Sequence, residues 1–316
     1  MVRSALTQSK RDLVCCLDMG TSHIKAALID DSGHVVALSF SPVPHRPAGA
    51  HPSEFNAADH FRVACQQLRH LARSNRHSAE RVKAIAVTGQ RASIVPVYHN
   101  RTAMALGWSD TRGTKVLQQF WRRLGEARFR RITGLQPSTL WSLAKILSLQ
   151  QAPRRLRPAR FALLNDYILW KLGAPGLITD TSSASLTGLL DIRRRRWSPA
   201  ILRAAGLSEE NLPALAQPGT VVGSLSSRTA IRCGLPAGIP LVLAGGDQQC
   251  ADLGMGVLDA TDTGICLGTA GVLSCPTKRL PSRLRTGIFC TVHVVPDRWV
   301  LEGIHKAYGS ALEWVG

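Results

Sequence analysis

Two acids stand where a carboxylate could do chemistry. Asp18 closes the apolar run 13–17 and opens a short polar turn, Gly20-Thr21-Ser22, with Lys25 just beyond. Asp247 follows Gly245-Gly246 at the end of the apolar run 240–244. An acid at a strand end, beside a turn of small residues with outward N–H groups, can hold a hydrated Mg²⁺ and phosphate oxygens. An acid aimed at an alcohol can take its proton while a phosphoryl group is held in line. A second Gly-Thr turn, Gly268-Thr269, follows the strand-like run 265–267. Two such turns, one opening each half of a chain, could face each other across a cleft and grip a polyphosphate. The spacing G-x-x-x-x-G-K-[ST] is absent, so this is not a P-loop. Two plainer alternatives stay open: 17–25 as an ordinary surface hairpin, and Asp247 as a cap for a helix over 248–254.

The elements that must position these groups follow from periodicity and breakers. Runs at 13–17, 24–29 and 35–38 alternate with polar turns, which predicts a three-stranded meander. Asn56 is placed to cap a helix through residue 73, with Phe61, Ala64, Cys65, Leu68 and Leu71 at helical spacing. Residues 82–88 read as a buried strand ending at Gln90-Arg91. Ligands collect at the carboxyl ends of strands in open α/β sheets, which brings Gln90 and Arg91 within reach of a substrate. Runs 94–98 and 105–108 read as a hairpin, 115–129 and 142–151 as helices, and 161–165 as a strand delivering Asp166. Pro199 opens a helix that Gly206 ends. The fold class is α/β, and the paired Gly-Thr turns are the sign of a duplicated, actin-like ATPase (ribonuclease H-like) fold.

In order along the chain come LDMGTSHIKAALID, AIAVTGQ, GWSDTRG, LLNDYILWKLGA, TDTSSASLTGLLDI, LAGGDQQCADLGMG and CLGTAGVL. Together they resemble the FGGY carbohydrate kinases, which include xylulokinase, gluconokinase and glycerol kinase. The resemblance implies ATP-dependent transfer of the γ-phosphate to a hydroxyl of a ketose, sugar acid or polyol, with a xylulose-like substrate favoured. It implies Asp247 as general base, Gln248 as a hydroxyl ligand, and Asp18 holding Mg²⁺ through water. Gly20, Thr21 and Ser22 would approach the phosphates, Lys25 would add charge, and Gly268 and Thr269 would form the opposing turn. Gln90, Arg91, Trp108, Asp110 and Asp166 would lie on the sugar. Trp108 offers an apolar face to a carbohydrate's C–H side, core packing being its alternative, and Asp110 accepts hydroxyl donors. Arg91-Ala92 stands where glycerol kinases show Arg-Glu and xylulokinases Met-His, so this chain matches neither.

The same resemblance divides the chain into a sugar-binding N-terminal domain, 1–258, and the beginning of a nucleotide-binding domain, 259–316. Relatives continue to a later Gly-Gly-Gly segment that receives adenine and ribose, whereas here the sequence ends at Gly316. The expectation is strands over 272–275, 287–295 and 299–302, a helix over 305–315, and an open sheet edge with uncovered apolar surface. On that reading this chain alone binds ATP weakly or needs a separate remainder. A non-catalytic remnant that keeps sugar binding, or a basic anion- or nucleic-acid-binding protein on the same fold, are the alternatives.

Composition suits a globular enzyme. The chain has 316 residues, 45% of them hydrophobic, and its mean hydropathy is +0.01. No apolar run approaches the ~18 residues of a membrane span, and the basic start is not a signal peptide. Eight cysteines without C-x-x-C pairing and ten histidines without H-E-x-x-H spacing point to reduced thiols, a cytoplasmic location and no structural metal. Lys+Arg 39 against Asp+Glu 21 gives +18, much of it in arginine runs such as 193–196. Such a balance favours anions, but no aromatic residues interleave the runs, so they read as solvated faces and hairpin tips rather than a nucleic-acid site. A homodimer is left open.

Overall fold

The computed structural model describes residues 12–44, 51, 53–98, 104–153, 157–267 and 271–305. The chain opens with strands β1 (Leu13–Met19), β2 (His23–Asp30) and β3 (Val35–Pro42), the expected antiparallel meander. Alternation in β1 buries Leu13, Cys15, Leu17 and Met19 on one face. A two-residue strand, β4 (Glu54–Phe55), precedes helix α1 (Ala57–Ser74). The Asn56 carboxamide oxygen accepts from the Ala58 N–H at 2.9 Å, and the Phe61 to Leu71 stripe is buried. After the short α2 (Arg76–Ala79) comes β5 (Val82–Gly89), parallel to β1.

The next segments depart from the sequence reading because their partners are distant. β6 (Val95–Val97) and β7 (Ala105–Leu106) do not form one hairpin. Ile94 and Leu106 exchange hydrogen bonds at 2.8 Å, but β7 pairs with β4, and β6 pairs with β8 (Arg160–Ala162). Between them lie α3 (Thr114–Leu124), α4 (Glu126–Thr133) and α5 (Ser142–Leu149). The single helix expected over 115–129 is therefore two, broken at Gly125, whose φ of +82° a continuing helix cannot hold. The strand expected over 161–165 stops at Ala162, and α6 (Leu164–Leu172) starts at once. β9 (Ile178–Asp180) leads into α7 (Thr181–Ser185). β10 (Leu190–Asp191) and β11 (Arg196–Trp197) flank the arginine turn. α8 (Pro199–Ala205) is capped by Ser198 and ended by Gly206 in the left-handed region, as expected.

β12 (Ala214–Ala216), β13 (Val221–Ser224) and α9 (Ser227–Cys233) precede β14 (Pro240–Gly246) and α10 (Asp247–Gly254). The main sheet runs β13-β14-β5-β1-β2-β3, with β14, β5 and β1 parallel. Helices α1, α6 and α9 pack with it in one core. A second core gathers the helices α3 to α5 and α8. β15 (Gly264–Leu267), β16 (Gly271–Thr277), β17 (Ile288–Val292) and β18 (Trp299–His305) form a four-stranded antiparallel sheet. These last strands find partners in one another, and Phe289, Cys290 and Val292 enter the second core. Ile265 and Leu267 on the outer strand β15, and Leu273 on its neighbour β16, nevertheless stay exposed. Most of the helix expected over 305–315, and Gly268 and Thr269, lie outside the described residues. Among the described residues no helix is long and apolar enough to cross a membrane.

Candidate active-site cleft

Register decides where the chemistry sits. Along the three parallel strands Met19 pairs with Gly89 and Gly89 with Gly246, so all three carboxyl ends finish side by side. Asp18, Gln90-Arg91 and Asp247 emerge there together, as expected for an open α/β sheet. Together they border a cavity of about 310 Å³, into which Lys25, Trp108 and Gln248 also face. Leu140, Trp141 and Leu186 form one apolar wall; Phe289, Val272 and Ile304 of the four-stranded sheet form another. Trp141 and Phe289 meet edge-on, with ring centroids 5.3 Å apart. A cleft with apolar walls and a few convergent polar groups is the usual form of a small-molecule site.

The first turn is built tightly. A Cβ on Gly20 would lie 2.8 Å from the His23 carbonyl oxygen, so only glycine fits there. Lys25 donates to Asp18 Oδ2 at 3.4 Å. Asp18 Oδ1 is buried and has no hydrogen-bond partner. Desolvation raises the Asp18 carboxyl above the usual range, and Lys25 opposes that shift. An orphaned carboxylate oxygen with raised basicity fits a hydrated cation. No group of three or more His, Cys, Asp or Glu among the described residues could hold a metal alone. Such a cation would therefore lean on water and phosphate oxygens, as Mg²⁺ commonly does. Trp108 Nε1 donates to Thr21 Oγ1 at 3.1 Å, tying the turn to the Trp108 side of the cleft. The Gln90 N–H bonds the Met19 carbonyl at 3.0 Å.

Asp247 opens to the cleft with its side chain 41% exposed. Its surroundings still desolvate it and raise its pKa, Arg91 pulls it down, and Asp18 and Glu302 push it up. Arg91 Nε lies 3.3 Å from Asp247 Oδ1. The same guanidinium makes a bidentate pair with Glu302, Nη1 to Oε1 at 3.1 Å and Nη2 to Oε2 at 2.7 Å. Burial alone would lower the Arg91 pKa, but Glu302 and Asp247 outweigh it and the net shift is upward. Glu302 also accepts from Gln249 Nε2 at 3.0 Å and from the Thr291 hydroxyl. Gly246 makes room for this network and Gly245 for Val294 beside it. A Cβ on Gly246 would fall 2.5 Å from Arg91 Cδ, and one on Gly245 2.3 Å from Val294 Cγ1. Gln248 is held by Asp252 through an Nε2 to Oδ1 bond of 3.0 Å.

Two residues expected on the sugar lie elsewhere. Asp110 is 1% exposed and off the cleft lining, its carboxylate taken by Arg112 at 2.7 Å and by the Ser53 hydroxyl at 2.5 Å. Asp166 is wholly buried at the start of α6, where Oδ2 accepts from the Leu163 N–H at 3.0 Å. Its carboxyl is pushed up to about 8, chiefly by desolvation. Neither acid borders the cleft: Asp110 is engaged by Arg112 and Ser53, and Asp166 Oδ2 by the start of its own helix. Two others were missed. Glu302 stands in a strand with no motif around it, though an acid between Val300 and Ile304 on the inward face of β18 was a legible signal. Lys145, also wholly buried, donates to the carbonyls of Thr139, Leu140 and Trp141 at 2.8–3.4 Å and so holds the apolar wall. Desolvation lowers its pKa to about 7.

Comparison with known proteins agrees with this arrangement. The model of the FGGY family of carbohydrate kinases, N-terminal domain, matches residues 13–254. An autoinducer-2 kinase of Yersinia pestis (strain Pestoides F) is 28% identical over 98% of this chain and 59% of its own length. Among solved structures, a xyloylose kinase from Brucella ovis superposes with a TM-score of 0.85 at 25% identity, covering 96% of this chain and 62% of that one. A glycerol kinase of Plasmodium falciparum with ADP gives 0.85 at 20% identity, covering 96% and 63%, a likeness of fold. The chain thus spans about three fifths of the relatives it matches. It belongs to the FGGY family of carbohydrate kinases.

Proposed function

We propose that this chain carries the sugar-binding half of a carbohydrate kinase active site, used for transfer of a phosphoryl group from ATP to a hydroxyl of a ketose, sugar acid or polyol. The observation that carries this reading is the meeting of Asp247 and the Asp18–Lys25 turn in one cleft, at the ends of adjacent parallel strands. Residues 1–258 act as the sugar-binding domain and 259–316 as the beginning of the nucleotide-binding one. When bound, MgATP supplies the phosphoryl group and neutralises its charge. Asp18 Oδ1 would hold the cation through water, and Gly20, Thr21, Ser22 and Lys25 would meet phosphate oxygens. Gln90, Arg91, Trp108 and Gln248 orient the sugar, with the tryptophan face against its C–H side. Asp247 accepts the hydroxyl proton; Arg91 fixes its orientation, and its raised basicity suits that task. A xylulose-like substrate is favoured, in keeping with the xyloylose kinase among the structural relatives.

The test is ATP-dependent phosphorylation of D-xylulose, D-gluconate and glycerol, followed by ³¹P NMR. Turnover of one of them, falling about 10²–10⁴-fold in Asp247→Asn, is expected for loss of a general base. Turnover unchanged in that variant would refute the assignment, and calorimetric sugar binding without turnover would favour a non-catalytic sugar-binding role.

A further inference from the structure

A second cavity, of about 300 Å³, lies where the helical lobe meets the loop before β17. Three separate segments wall it: α4 with Arg130 and Arg131, the β10–β11 turn with Arg193, and residues 280–284 with Arg283. Among the described residues no aspartate or glutamate lines it. Its floor is apolar or neutral, formed by Ile192, Leu280, Leu284 and Cys290. Arg130 has Glu126 at 3.5 Å. The guanidinium groups of Arg131, Arg193 and Arg283 meet no carboxylate among the described residues. Within the arginine turn the division is clear. Arg194 pairs with Asp191 at 3.1 Å and Arg195 with Asp297 at 3.2 Å, which leaves Arg193 to the cavity.

The walls are fixed by hydrogen bonds rather than by charge. The Asp191 carboxylate accepts from the Arg193 and Arg194 N–H groups at 3.1 and 3.0 Å and sets the turn. Gln136 Nε2 donates to the Ile288 carbonyl at 3.1 Å, and the Cys290 N–H to the Gly134 carbonyl at 2.9 Å, joining α4 to the second sheet. Gly134 permits that approach, since a Cβ there would lie 2.5 Å from the Cys290 oxygen. Three guanidinium groups that meet no carboxylate among the described residues, beside an Arg130 paired with Glu126 at 3.5 Å, repel each other unless an anion lies between them. Guanidinium forks match phosphate oxygens in geometry, and a cavity this size is at the small end of ligand sites.

We propose that this arginine-walled cavity binds a small polyanion of the phosphate class, at a site separate from the cleft. The arginines supply the charge and the apolar floor excludes water beneath it. A ligand here would bridge α4 and the loop before β17, and so stiffen the junction between the helices and the four-stranded sheet within the second core.

Inorganic pyrophosphate, titrated by calorimetry into the intact chain at low salt, tests this. Expected is one-to-one binding that weakens at least about tenfold in Arg131→Glu and again in Arg193→Glu, each charge-assisted pair being worth roughly that factor. Arg122→Glu, outside the cavity, should leave it unchanged, and the same titrations in a Lys25→Ala background remove any share taken by the phosphate turn of the cleft. Ribose 5-phosphate in a parallel titration tells a phosphate ester that uses the floor from a bare diphosphate, and binding of either that falls in Arg131→Glu supports the site. Absence of binding by both, or binding lost in Lys25→Ala and kept in Arg131→Glu, would overturn it. So would retention of a single-stranded RNA oligomer that Arg122→Glu, outside the cavity, weakens as much as Arg131→Glu does, since the arginines would then act as one diffuse basic surface.

Discussion

Replacing Glu302 by Gln probes the network that holds the catalytic edge together. The Arg91 and Glu302 side chains are 8% and 0% exposed, and two charge-assisted bonds of 3.1 and 2.7 Å join them. The substitution keeps size and one acceptor oxygen but puts an N–H donor against a guanidinium. Arg91 is then left with only Asp247, at 3.3 Å, as an acidic partner. Breaking a buried pair by removing one partner costs about 3–5 kcal/mol, because the remaining charge stays desolvated. An exposed pair would cost about 0–1 kcal/mol. Urea denaturation of wild type and Glu302→Gln distinguishes the two: with an m-value of about 3 kcal/mol/M, the midpoint should fall by at least about 1 M. Arg91→Met with Glu302→Leu should lose less than either single change, since no charge is left unpaired. A midpoint shift under about 0.3 M, the exposed-pair figure on the same m-value, would show that the pair is solvated and that this reasoning fails.

Other outcomes follow from the same geometry. Gly246→Ala sets a Cβ 2.5 Å from Arg91 Cδ and 2.8 Å from Gln249 Oε1; overpacking of this kind costs about 1–3 kcal/mol in the same denaturation assay. The Asp166 carboxyl keeps its proton up to about pH 8 in the folded chain, whereas the unfolded chain loses it near 3.9. The stability this contributes is therefore full below about pH 4 and is lost as pH rises toward 8, at up to about 1.4 kcal/mol per unit. Asp166→Asn, a mimic of the protonated form that can still accept from the Leu163 N–H, should flatten that slope. It should be more stable than wild type at pH 8.5, and equal slopes in urea midpoints between pH 5 and 8.5 would contradict the assignment.

What the sequence made legible was local. Asp18, Gln90 and Asp247 could each be found because each ends an apolar run, and a strand that stops at a small-residue turn is visible within ten residues. That the three ends coincide is a matter of register across the sheet, which no single run contains. Glu302 reaches Arg91 across 211 positions, and the 94–108 segment splits between β4 and β8 for the same reason: its partners are remote. Gly125 was in plain view, but a lone glycine in an amphipathic stretch does not say whether the helix tolerates it or breaks. Asp110 and Asp166 lie off the cleft lining, which their motifs do not reveal, because an acid beside a motif looks the same whether it faces a cavity or caps its own backbone. Gly245 and Gly246 visibly break an apolar run, but the groups packed against them, Val294 and Arg91, lie far off in the sequence.

The most direct test of the shared cleft is a crystal structure of the chain with D-xylulose and a non-hydrolysable ATP analogue with Mg²⁺. A sugar hydroxyl within about 2.6–3.2 Å of an Asp247 oxygen, the range for proton transfer, with phosphate oxygens at the Asp18–Lys25 turn, is the expected result. A sugar seated away from Asp247, or phosphates bound elsewhere while that turn stays closed on Lys25, would contradict it.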